Sequence, residues 1–299
     1  MTYVSPLDSA PVLWTRGEGC QELAAALSVG EPVRVVDDLV DTAVRKRAGL
    51  LVARRLPGSD LLSVAVPVDL ALGDAGAVVA AVAGGPHSLL AAGVAARLGD
   101  RLGVAASMVC AVRPGDDREQ ALAVIEDIYR RVPVLEYRIV EAEDAQQLVG
   151  QLPDDPLLVL GAPGGNWFQR VLFGRGVRLR QRAPNGAVVV RAVPPRVFGL
   201  MGEPVFISPL REAGDVLRTH PESVLAVVEG GVLVGLVRRE VLQRAAPGRA
   251  VSELMDPPVS VSFDATIEEA APLFVGFGDD PVPVAGRNGE LVGGLVRPG

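Results

Sequence analysis

The stretch Leu157-Leu-Val-Leu-Gly161-Ala-Pro-Gly164-Gly165-Asn-Trp-Phe-Gln-Arg-Val-Leu-Phe-Gly174 runs from unbroken apolar residues through glycines into an amphipathic segment. Leu157–Gly161 reads as a strand buried on both faces, and Trp167–Arg182 as the helix that follows it. Glycines at such a turn let backbone amides approach a phosphate, and a helix N-terminus adds partial positive charge. Open α/β sheets take their ligands at the C-terminal ends of parallel strands. The same glycines also suit a tight turn and close helix–strand packing, and their spacing leaves both readings open.

The alternation continues on either side. Val78–Val82, Ala105–Val112, Glu136–Val140 and Ala187–Arg191 are further apolar strands. Ser88–Arg101, Arg118–Arg131 and Glu143–Leu152 carry apolar residues at helical spacing. Strands alternating with helices predict a doubly wound α/β domain on a five-stranded parallel sheet over residues 76–194. Residues 1–75 read as a short α/β extension, with strands near Val12–Thr15, Val33–Val36 and Leu50–Ala53 and helices over Cys20–Leu27 and Leu39–Arg47. Val33-Arg-Val-Val with Leu50-Leu-Val-Ala resembles Tyr137-Arg-Ile-Val with Leu157-Leu-Val-Leu, so the extension is either a degenerate partial repeat or a segment packed on the sheet.

After a linker at Ala192-Val-Pro-Pro-Arg196 the pattern changes. Met201-Gly-Glu-Pro-Val returns 54 residues later as Met255-Asp-Pro-Pro-Val, and Leu233-Val-Gly-Leu-Val237 returns within Leu291-Val-Gly-Gly-Leu-Val296. Each repeat is too small to bury much core alone, so the two are expected to pack on each other over 197–245 and 250–299, within a 195–299 domain.

Composition narrows the chemistry. The 299 residues are 49% hydrophobic, which suits a packed globular chain, and the net charge is −7, whereas a phosphate-tracking nucleic-acid binder is normally basic. Lys46 is the single lysine and precedes Arg47, so no Gly-Lys-Ser/Thr phosphate loop exists. Two histidines (His87, His220) and two cysteines (Cys20, Cys110) are too few for the usual zinc sites or a disulfide framework. Met1–Trp14 lacks the pattern of a signal peptide, and no apolar run reaches the ~20 residues of a membrane span. These features predict a cytoplasmic chain without membrane insertion, metal or nucleic-acid partner.

The spacing Gly161-x2-Gly164-x9-Gly174 resembles the nucleotide signature of universal stress protein domains. Val78-Val-Ala-Ala-Val-Ala-Gly84-Gly-Pro-His-Ser88 is similar to that family's opening strand and turn, and Ala183-Pro184 with Val188-Val-Val190 to its close. The resemblance implies a five-stranded parallel sheet, a homodimer and, in one branch, bound ATP, here on Gly84, Gly161, Gly164, Gly165 and Gly174. Two positions depart from the pattern. Ala83 stands where an Asp usually meets the adenosine, and Arg175 where a hydroxyl residue usually follows the last glycine; an arginine can replace that phosphate donor. The C-terminal repeat resembles a pair of CBS domains, which commonly hold adenosyl ligands such as ATP or AMP between repeats. Their Gly-apolar-x-Ser/Thr-x-x-Asp signature is altered here: Gly235-Leu-Val-Arg238-Arg-Glu240 has no hydroxyl residue and its acid sits one place early, and Gly294-Leu-Val-Arg297 runs into Pro298.

His87, at the mouth of the first strand, reads either as solvated or as a phosphate contact. Asp279-Asp280 reads as a solvated turn, Cys110 as inert core, and Cys20 as closer to the surface. Arg170, Arg175, Arg178, Arg180 and Arg182 read as a solvated basic face or an anion contact. No nucleophile–base set is identifiable. The expectation is therefore a non-enzymatic regulatory or stress-response protein needing no cofactor and sensing an adenine nucleotide; the alternative is a scaffold or dimerisation module whose nucleotide sites have decayed.

Overall fold

The computed structural model describes residues 5–7, 11–58, 60–115, 118–132, 136–143, 147–148, 150–162 and 183–297. The chain divides between Val193 and Pro194 into two compact units. Among the described residues no helix is long and apolar enough to cross a membrane.

The first unit contains β1 (Leu13–Trp14), α1 (Cys20–Leu27), β2 (Val33–Arg34), α2 (Leu39–Lys46), β3 (Leu50–Val52), β4 (Ser63–Val68), β5 (Ala77–Ala81), α3 (Gly85–Leu102), β6 (Ala105–Val112), α4 (Arg118–Tyr129), β7 (Glu136–Glu141), β8 (Pro156–Gly161) and β9 (Ala187–Arg191). The strands form one mixed sheet in the order β2-β1-β3-β4-β9-β8-β5-β6-β7. The five apolar strands expected from the sequence are consecutive in it and mutually parallel. The sheet does not stop at five, however; it has nine strands. β9 carries Val188, Val189 and Val190, all buried, and as an edge it would expose both apolar side chains and unpaired backbone. β4 removes that edge by pairing with it antiparallel, from Val64↔Arg191 to Val68↔Ala187. The residues 1–75 expected to form an extension therefore continue the same sheet. Pro67 makes β4 hard to read as an inner strand. β3 ends opposite Ala65, so Pro67 lies beyond the stretch that β3 pairs.

From the β4–β9 seam outward, β3, β1 and β2 succeed one another as β8, β5 and β6 do on the other side. This order makes β2 the counterpart of β6, not of the Tyr137 strand that its sequence resembles. Helices α1, α3 and α4 share one face, where Leu23, Leu27, Leu90, Val94, Leu98 and Ile125 meet Val78, Met108 and Leu157 in one core. α3 lies so close to β6 that a Cβ on Gly99 would be 2.6 Å from that of Ala106. The walk β5→β6→β7 runs one way across the sheet and β7→β8 returns. A right-handed β7→β8 crossover then lies on the opposite face. There Leu148 and Ala183 pack on Val79, Val109, Leu158 and Leu160. The helix expected over Trp167–Arg182, with its arginines, lies outside the described residues.

Pro194–Gly299 forms the second unit. It contains β10 (Phe206–Ile207), α5 (Ala213–Thr219), β11 (Val224–Glu229), β12 (Val232–Arg238), α6 (Arg239–Arg244), β13 (Val261–Ser262), α7 (Ile267–Ala270), α8 (Phe274–Phe277), β14 (Val282–Ala285) and β15 (Leu291–Leu295). Its two three-stranded sheets, β10-β11-β12 and β13-β14-β15, each join one parallel pair to one antiparallel hairpin. Thr266-Ile-Glu-Glu269 forms a capping box that starts α7. The segments that open the repeats are exchanged. Gly202, preceding the first sheet, pairs in both directions with Gly294 of the second, at 2.8 and 3.2 Å; Asp256, preceding the second, pairs with Leu236 of the first, at 2.7 and 3.0 Å. Phe198 of the first leader is buried and bonded to Phe263.

Candidate functional site

The order of the first sheet reverses between β5 and β8, because β6 lies on one side of β5 and β8 on the other. Such a switch point opens a crevice at the strand ends. β5 and β8 run in register up to Ala81↔Leu160, so Ala83–Gly84 and Gly161–Ala162 leave the sheet side by side. Gly84 holds φ 93° and ψ 166°, a conformation open essentially to glycine alone. Gly85 follows at φ 77°, and among the described residues no atom lies within 4 Å of the place of a Cβ. The turn is preformed: the Ala83 N–H donates to the buried Ser88 Oγ at 3.0 Å. Gly161 is buried at the end of β8, paired with Val190 of β9. Gly84 and Gly161 are thus brought together, while Gly164, Gly165, Gly174 and Arg175 lie outside the described residues. Ala83 is exposed and brings only a methyl group to the mouth.

His87 is half-buried, and one of its ring nitrogens is engaged within the unit. Its Nδ1 accepts the Ala192 N–H at 3.1 Å, just past β9. Burial, and then the Arg191 guanidinium, hold this imidazole below its ordinary pKa. Nothing in the local sequence marks this bond, which spans 105 residues. Both thiols are inert core: Cys20 is fully buried, contrary to its expected position near the surface, and burial pushes Cys110 up to about 11.

In the second unit Glu240 is exposed in the first turn of α6. The two arginines before it do different work. Arg239 donates to the carbonyls of His220 and Leu217 at the end of α5. The Arg238 Nε lies 4.0 Å from Asp256 Oδ2, on the leader of the other repeat, and both side chains are more than half exposed. The paired bridges make Leu236 and Gly294 counterparts. Val296, rather than Arg297, therefore stands where Arg238 does, a correction to the register read from the sequence. Asp280, expected in a solvated turn, accepts the Ser223 and Val224 N–H groups at 2.8 and 2.9 Å and so ties the second repeat to the start of β11.

A CBS domain is present at residues 251–298. No curated protein matches the chain. Among solved structures, the chain is similar to the cytosolic domain of the Mg2+ channel MgtE in complex with ATP, at 29% identity over 34% of this chain and 45% of that one, with a TM-score of 0.31. It is similar to the CBS domains of a transcriptional regulator from Streptococcus pneumoniae at 20% identity, over 34% of this chain and 92% of that one, with a TM-score of 0.31. It is also similar to CBSX2 from Arabidopsis thaliana, described as a CBS-pair protein, at 23% identity over 34% of this chain and 88% of that one, with a TM-score of 0.30. The chain thus spans less than half of the MgtE cytosolic domain.

Proposed function

We propose that this protein is a non-catalytic regulator that senses an adenine nucleotide, ATP or AMP, in the cytoplasm and acts as a homodimer. The observation that carries this reading is the reciprocal pairing of two repeats, Gly202 with Gly294 and Leu236 with Asp256, in a unit whose second repeat is a CBS domain. The exchange sets Arg238, at the end of β12, 4.0 Å from Asp256 on the leader of the other repeat, and CBS pairs commonly hold adenosyl ligands between their repeats. Glu240 would accept the ribose hydroxyls and Arg238 would meet phosphate. The crevice at Ala83, Gly84 and Gly161 is the second candidate mouth, belonging to the stress-protein-like part, with Gly164, Gly165, Gly174 and Arg175 as its remaining members.

A second reading is a scaffold or dimerisation module with decayed sites. It is favoured by Arg238, which stands in place of the usual hydroxyl residue and faces Asp256, and by Ala83, which offers no ribose acceptor. Isothermal titration of the full chain with ATP, ADP and AMP separates the two. Saturable binding weakened about tenfold by Glu240→Gln, the scale of a charged hydrogen bond, is expected for the sensor. No saturable binding at millimolar nucleotide leaves the scaffold.

A further inference from the structure

The chain leaves the first unit through Ala192 and Val193 and then meets Pro194 and Pro195. Prolines have no N–H, so Ala192 and Val193 carry the last backbone donors before Arg196. Neither of these two amides has a backbone partner on a strand among the described residues. Ala192 donates to His87 Nδ1 at 3.1 Å and Val193 to Ser63 Oγ at 3.3 Å. The exit of the first unit is therefore fastened by two side chains from different elements, one in the first turn of α3 and one at the start of β4. Ser63 is buried and does not titrate in the accessible range. His87 can accept only while Nδ1 is bare, which requires a neutral ring with its proton on Nε2.

We propose that His87 is a proton-sensitive latch on the connection to the CBS-containing unit, closed by the neutral imidazole and opened by the imidazolium. Of the charged groups around it, Arg191 sets the direction. Arg191, one residue before the latched amide, repels the protonated ring; its guanidinium is itself held by the Pro57 carbonyl at 2.8 Å and lies 3.6 Å from the largely exposed Asp60. Asp60 offsets part of that repulsion but sits in solvent, where screening is strong. Burial acts in the same direction as Arg191. With the folded pKa below the ordinary value, the latch contributes above the unfolded pKa and is lost as pH falls through the folded one. It is closed at neutrality and opens on acidification. The latch adds a second input, protons, to the protein, and it does not rest on nucleotide binding.

Amide hydrogen exchange on the full chain, corrected for the intrinsic pH dependence of exchange, tests the latch. In the wild type, protection of the Ala192 amide is expected to fall roughly tenfold, the scale of one hydrogen bond, between about pH 7.5 and pH 5. Val193 should change less. His87→Asn keeps an acceptor atom near the Nδ1 position but does not titrate, so it should retain protection at both pH values. His87→Ala should lose it at both, while the β9 amides at Val188–Val190 stay protected and report an intact fold. Equal pH profiles for wild type and His87→Asn, or full protection of Ala192 in His87→Ala, would overturn the proposal.

Discussion

An added Cβ at Gly235 would lie 2.7 Å from the Met255 sulfur and 2.8 Å from the Asp256 carbonyl oxygen. The thioether can swing aside, but the carbonyl is held in the Leu236–Asp256 bridge and cannot. Gly235→Ala should therefore cost about 1–3 kcal/mol, as overpacking in a core does. Gly276→Ala, in a helix with open space around it, should be close to neutral. Chemical denaturation of both variants checks the pair, and equal stabilities would show that the leader has room to move. At this scale legibility was uneven. Gly84 was readable because a strand-to-helix turn needs a residue with positive φ, which is a local requirement. The partners of His87 and Asp280 were not, because each bond joins residues tens of positions apart and leaves no spacing in the sequence.

Among the elements, β4 separates the sequence expectation from the structure. The strands β5, β6, β8 and β9 were legible because each is an apolar run bounded by turn residues, whereas β7, with Glu136, Arg138 and Glu141, was legible from its place in the strand–helix alternation. Ser63–Val68 was not, because Pro67 argues against an inner strand until the length of β3 is known. The consequence can be measured. A chain lacking residues 1–75 loses β4 and bares Val188–Val190 as an edge, so it should self-associate through β9. Size-exclusion chromatography over a concentration series is expected to show species of higher order than those of the full chain. A folded, strictly monomeric truncated chain would mean that another segment covers β9. The exchanged leaders of the second unit were also unreadable. The repeat announces two similar pieces, but which piece each leader completes depends on pairing between residues 202 and 294.

The whole molecule consists of two units with separate cores, one centred on α3 and the other on Ile207, Leu225, Val227 and Val251. Units of this kind generally unfold as cooperative blocks of their own. Differential scanning calorimetry of the full chain should resolve two transitions, one of them reproduced by a fragment of residues 194–299. A single transition together with an unfolded fragment would mean that the second unit depends on the first for its stability.

The antiparallel β4–β9 seam has a further consequence at this scale. Where two similar sheets meet as separate chains, the partnership dissolves on dilution and every substitution falls on both sides at once. Here the two halves belong to one polypeptide, so their meeting does not depend on how much protein is present. Each half is also free to drift alone. The half without a counterpart of β7 among the described residues can lose a strand while the other keeps it, an asymmetry closed to a twofold assembly of identical chains.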